Sequence, residues 1–132
     1  RKCYPLPTQI FRFLGSMCSY KVFISEVTVN ELENTKDERL KKKFRRLIKD
    51  FNILKINAEI RFLANIYIER GIFPEKYIED ALHVAAATCH EISYIVSWNF
   101  EHLVKVKTRK TVSLSNILAG YKEVEIVSPQ EL

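Results

Sequence analysis

Apolar residues recur along this chain in two rhythms, one suited to helices and one to short buried strands. The clearest helical stripe predicts a helix over Asp37–Phe51, where Leu40, Phe44, Leu47, Ile48 and Phe51 share one side. Lys42, Arg45, Arg46 and Lys49 fall opposite, so the basic residues form one outward face. A second stripe of Ile60, Leu63, Ala64 and Tyr67 follows Asn57, a good helix cap, and ends at Gly71, with Pro74 barring continuation. A third helix is predicted over Glu75–His90. Ile78, Ala81, Leu82, Ala85 and Cys89 line one side, and Val84 and Ala87 make the other side apolar too, which predicts a largely buried helix. Asp80 and His83 share that second side. Shorter helices are expected over Thr8–Leu14, ending at Gly15, from a Ser25 cap through Val27, Leu32 and Glu33, and over Ser113–Leu118, ending at Gly120. Residues 99–104 read as a short helix or turn.

Between these lie compact apolar runs that read as buried strands: Lys21–Ser25, Ile53–Ile56, Tyr94–Trp98 and Val124–Val127, the last closed by Pro129. Strands of this length alternating with helices predict an α/β protein with a mostly parallel sheet covered on both faces. No repeat, low-complexity stretch or linker divides residues 1–132, so one domain is expected.

Composition narrows the class. With 47% hydrophobic and 28% charged residues, the chain has ample material for a core, which excludes disorder as its main state. No run of apolar residues is long enough to span a membrane, and Arg1–Pro7 lacks a signal-peptide pattern, so a cytoplasmic protein is expected. Cys3, Cys18 and Cys89 form no C-x-x-C pair and have no His at zinc-site spacing, so they read as reduced structural thiols.

The formal charge of +5 is unevenly spread. Residues 36–55 carry 9 basic and 3 acidic side chains, residues 56–104 carry 3 and 7, and a second basic cluster of Lys105, Lys107, Arg109 and Lys110 follows. Basic surface beside an acidic site suits a polyanionic substrate held by metal ions; the same runs also read as solvated faces.

In parallel α/β folds, sites form beyond the carboxyl ends of the strands. Three polar residues occupy such places: Glu31 on the helix after the first strand, Asp80 near the start of the buried helix, and Asn99 directly after Tyr94–Trp98. Each also has an ordinary structural reading. Glu31 suits a solvated helix position beside Glu33, Asp80 complements a helix dipole, and Asn99 caps the helix or turn after it.

The segments Tyr77–Ala87 (YIEDALHVAAA) and Tyr94–Val104 (YIVSWNFEHLV) resemble the PIN domain, and in particular the VapC-type ribonuclease toxins of toxin–antitoxin pairs. Val22–Glu33 (VFISEVTVNELE) is similar to the family's earlier strand–helix motif, and Gly120-Tyr121 with Ile126–Leu132 (IVSPQEL) resembles the tail of one subgroup. The resemblance implies a three-layer α/β/α sandwich and a metal-dependent endoribonuclease. It places Glu31, Asp80 and Asn99 as ligands of Mg²⁺ or Mn²⁺, with Asn99 where many members carry Asp. Oxygen donors of this kind suit those hard ions. RNA phosphates would be drawn to Lys105, Lys107, Arg109, Lys110 and the Lys42, Arg45, Arg46 and Lys49 face. The resemblance also implies an antitoxin partner, which would reach the acidic pocket with an Arg or Lys, and a homodimer, for which Ile10, Phe11 and Phe13 are candidate contacts.

The family opens with a strand that ends in its first metal-binding Asp, and Arg1–Pro7 carries no counterpart. Two explanations stay open. The sequence begins part-way through a longer protein, which is the expectation here, or the strand is lost and the chain is an inactive relative that binds RNA or a protein partner.

Overall fold

Ser25 ends one element and starts the next. Strand β1 (Phe23–Ser25) runs directly into helix α1 (Glu26–Glu33), and the Ser25 hydroxyl accepts a hydrogen bond from the Thr28 N–H at 3.3 Å. This is the cap the sequence predicts: it satisfies a backbone donor that the first helical turn leaves open. The computed structural model describes residues 21–97 and 105–131. Thr8–Leu14 with Ile10, Phe11 and Phe13, the expected strand residue Trp98, and the helix or turn over 99–104 lie outside the described residues.

The described residues fall into two compact units, 21–55 and 56–131. In the first, α1 is followed by α2 (Glu38–Ile48) and β2 (Asn52–Leu54). Asp37 caps α2, accepting from the N–H groups of Arg39 and Leu40 at 3.0 and 3.2 Å. Phe44 is buried and Leu40, Leu47 and Ile48 half-buried, while Lys42, Arg45, Arg46 and Lys49 are exposed, as the periodicity requires. The helix stops before Phe51, whose N–H bonds the Ile48 carbonyl at 3.0 Å in the turn that feeds β2. β1 and β2 pair in parallel, Phe23 opposite Asn52 and Ser25 opposite Leu54. β2 thus begins and ends earlier than the expected Ile53–Ile56, and Ile53 is 51% exposed rather than buried.

The second unit contains α3 (Ala58–Glu69), a 3-10 turn at Glu75–Tyr77, α4 (Ile78–Cys89), β3 (Tyr94–Val96), α5 (Val106–Leu118), β4 (Glu125–Val127) and a 3-10 turn at Pro129–Glu131. The Asn57 side chain caps α3 by accepting from the Ile60 N–H at 2.9 Å. At its other end Gly71, with φ +74°, lets the chain turn back so that the N–H groups of Gly71 and Ile72 bond the carbonyls of Ile68 and Tyr67. Ile60, Leu63, Ala64 and Tyr67 of α3 are buried with Ala81, Val84, Ala85 and Ala86 of α4, and the alanines allow the two helices to come close. Phe73 sets its ring edge-on to Tyr67, centroids 6.3 Å apart. β3 and β4 pair in parallel, Tyr94 opposite Glu125 and Val96 opposite Val127. Tyr94 is 52% exposed, so β3 is not the strand covered on both faces that its apolar run predicts.

α5 departs furthest from expectation. The apolar pattern predicts a helix only over Ser113–Leu118, yet the helix starts at Val106. Its inward side is Thr108, Val112, Ser115 and Asn116, all buried, and three of the four are polar. A search for apolar periodicity passes over such a face. The protein is therefore mixed α/β, and the strand pairs among the described residues are parallel.

Candidate functional site

The head of α4 carries Asp80. It occupies the third helical position, after Ile78 and Glu79, and is 7% exposed. Tyr77 precedes the helix without a side-chain cap, so the acidic first turn faces N–H groups that lack intrahelical partners. Burial of a carboxylate carries a large desolvation cost, which local donors or a bound cation must offset. The apolar helix behind it, with Ala81, Val84, Ala85, Ala86 and Ala87 all buried, holds Asp80 at a fixed depth. His83, one turn on, is half-buried.

Glu31 lies in the last turn of α1 and is exposed. It belongs to the 21–55 unit, whereas Asp80 belongs to the other, and Asn99 lies outside the described residues. Among the described residues, no three His, Cys, Asp or Glu side chains gather as a group that could hold a metal ion.

The basic candidates divide by what they touch. Lys42 and Arg46 are exposed on α2, and Lys49 is exposed just beyond its end. Arg45, on the same face, makes a bidentate pair with Glu33 of α1, Nε at 2.9 Å and Nη2 at 2.6 Å. The guanidinium holds the Glu33 carboxyl below its ordinary range. Lys105 precedes α5, and Lys107 and Lys110 are exposed along it. Arg109 instead forks onto Glu131, Nη1 at 3.0 Å and Nη2 at 2.7 Å, and the Ser128 N–H donates to the same carboxylate at 2.9 Å. Arg109 first, and Ser128 after it, bring the Glu131 carboxyl down to about 2. Two of the eight expected phosphate-binding cations are thus engaged by carboxylates of the chain itself, through partners 12 and 22 residues away that local sequence pattern does not reveal.

Two further polar groups escaped the sequence reading. Tyr67, Thr88 and Asn116 form a buried network across three helices. Tyr121 donates to Glu59 Oε1 at 2.9 Å, and burial, followed by that bond, raises its hydroxyl above the usual tyrosine range. Cys89, on the same side of the unit, is a free thiol raised by burial and by the nearby Glu59, the environment of an inert thiol rather than a nucleophile.

No protein-family model, curated protein or solved structure matches this chain at a significant level. No described helix is long and apolar enough to cross a membrane.

Proposed function

We propose that the chain is a PIN-like endoribonuclease of the cytoplasm, the toxin half of a toxin–antitoxin pair, folded as a three-layer α/β/α sandwich with a mostly parallel sheet. The observation that carries the reading is Asp80, a carboxylate buried at the head of a helix of alanines in the motif Tyr77–Ala87. Glu31, Asp80 and Asn99 offer carboxylate and amide oxygens, a donor set that fits Mg²⁺ or Mn²⁺ and would hold it. A bound ion of this kind supplies an activated water for attack on the phosphodiester and stabilises the leaving oxygen. The chain's own contribution is to fix Asp80 at depth through α4 and to attract RNA phosphates with Lys42, Arg46, Lys49, Lys105, Lys107 and Lys110. An antitoxin would quench the site with an Arg or Lys directed at the same carboxylates.

The test uses the full-length protein. Mn²⁺ should raise its melting temperature, since an ion bound only by the folded state stabilises that state, and RNA should be cleaved. Asp80→Asn should remove both effects. Cleavage that survives Asp80→Asn overturns the assignment. Salt-sensitive RNA binding that persists in EDTA, without cleavage at any Mn²⁺ concentration, selects the inactive RNA-binding module instead.

A further inference from the structure

The Glu131 carboxylate serves two groups at once. Oε1 accepts from Arg109 Nη2 at 2.7 Å and from the Ser128 N–H at 2.9 Å, while Oε2 accepts from Arg109 Nη1 at 3.0 Å. Ser128-Pro129-Gln130-Glu131 is an S-x-x-E sequence, and its acid reaches back to the first residue as the acid of a capping box does. A glutamine fills that role as well, because the backbone bond needs an oxygen and no charge. The charge of Glu131 therefore has a second task, which is to occupy the Arg109 guanidinium.

That guanidinium stands in cationic surroundings. Lys105, Lys107 and Lys110 are exposed near it, and the first turn of α5 holds no acidic residue. Arg109 and Lys110 border a shallow groove of about 360 Å³, with Ser113, Leu114, Ile117 and Glu123 as its other walls. Ser113 donates to Glu123 Oε1 at 2.9 Å, and Leu114 and Ile117 are each 59% exposed, so the groove is open to solvent. A guanidinium fork accepts two oxygens of a phosphate as readily as two of a carboxylate. The two partners also differ in anchorage. Arg109 sits in a helix of 13 residues, whereas Glu131 belongs to a turn of 3 residues and its side chain is 41% exposed. The acid is the partner that can give way while the fork stays in place. With its carboxyl near 2, Glu131 remains charged at neutral pH, so another anion rather than a proton must open the contact.

We propose that Arg109, beside Lys110 at this groove, is a binding position for a phosphate group, and that Glu131 closes it as a built-in competitor which an RNA phosphodiester displaces. The inference rests on the RNA-binding part of the proposed function and deepens it, by naming the cation of α5 that is withheld until RNA arrives.

The full chain tests it, with single-stranded RNA in EDTA by filter binding and, separately, with inorganic phosphate at constant ionic strength by thermal melting. Glu131→Gln keeps the oxygen that bonds Ser128 and removes the charge. It should bind RNA at least about threefold more tightly at low salt, with a salt slope steeper by about 1. Arg109→Ala should cancel that gain, and Glu125→Gln, which removes the same charge from an exposed strand residue, should not reproduce it. In the otherwise native chain, Arg109→Ala should weaken RNA binding less than Lys110→Ala does. Inorganic phosphate should raise the melting temperature of Glu131→Gln more than that of the native chain or of Glu131→Gln with Arg109→Ala. RNA binding that Glu131→Gln leaves unchanged, a gain that survives Arg109→Ala, or equal losses in the single variants Arg109→Ala and Lys110→Ala overturn the proposal and leave the nuclease reading standing. An Arg109-dependent response of Glu131→Gln to phosphate, in a chain that binds no RNA, keeps the closed phosphate position and overturns RNA as its ligand. A response to neither probe overturns both.

Discussion

Tyr67 and Asn116 stand 49 residues apart in sequence and meet through a hydrogen bond of 2.5 Å, the phenol donating to the amide oxygen, with both side chains fully buried. Asn116 Nδ2 in turn donates to the Thr88 hydroxyl at 3.1 Å, and Thr88 donates to the Val84 carbonyl at 2.8 Å. One polar chain thus ties α3, α4 and α5 together inside the core. Asn116→Ala removes a buried partner from both Tyr67 and Thr88, and should cost about 2–4 kcal/mol in urea unfolding, a desolvation loss for each stranded group plus a cavity. Tyr67→Phe should cost about 1–2 kcal/mol. The double variant should cost less than the sum, because the second change finds the shared bond already gone.

The same tyrosine sets a limit at alkaline pH. Burial pushes the Tyr67 hydroxyl up to about 12 against an ordinary value of 10.0. The unfolded chain releases this proton first, so stability is full below pH 10 and falls as pH rises towards 12, by up to roughly 2–3 kcal/mol if the residue acts alone. Urea midpoints should decline over that window in the native protein and markedly less in Tyr67→Phe.

Glu131 has the opposite sign. Its carboxyl lies near 2 in the folded protein and at 4.5 as a free side chain. The stabilisation is present above pH 4.5 and is lost as pH falls towards 2. Glu131→Gln should flatten the acid limb of a plot of melting temperature against pH. Because the Arg109–Glu131 pair is partly exposed, 1 M salt should shrink the difference.

Glu91 is a non-glycine residue with positive φ, 56°, at the end of α4, where the N–H groups of Glu91 and Ile92 bond the carbonyls of Thr88 and Ala87. The matching position after α3 is Gly71, and after α5 it is Gly120. Glu91→Gly should stabilise the protein by about 0.5–1 kcal/mol in urea unfolding by relieving the left-handed backbone. The lost ion pair to Lys122, 3.6 Å long and well exposed on both sides, should subtract little.

If RNA is held by phosphate attraction, cations should differ according to their existing partners. Lys42→Ala and Arg46→Ala should each lower the slope of log affinity against log salt by about 1. Arg45→Ala should change it less, because Glu33 already neutralises that guanidinium. Filter binding to single-stranded RNA at several salt concentrations makes the comparison, and equal effects at Arg45 and Arg46 would remove the argument.

Local chemistry was legible wherever neighbours along the chain decide the outcome. Ser25 and Asn57 cap the helices they precede, Gly71 ends α3, and the stripes of α2, α3 and α4 point inward as their spacing requires. The burial of Asp80 followed from a helix apolar on two sides. The extent of β2 did not, because a short strand is bounded by its partner's register rather than by its own residues.

What the sequence determined by itself was helices α1 to α4 and the Ser25 and Asn57 caps, since hydrogen bonds and apolar contacts within one or two turns are encoded by residues three or four apart. Only the tertiary structure decided that α5 turns a polar face inward and an apolar face outward. Burying Asn116 is tolerable because Tyr67 and Thr88, distant in sequence, supply its partners in space. Likewise, Arg45 and Arg109 are cationic in any listing of the chain, but carboxylates brought to them by folding determine how much of that charge remains for another molecule.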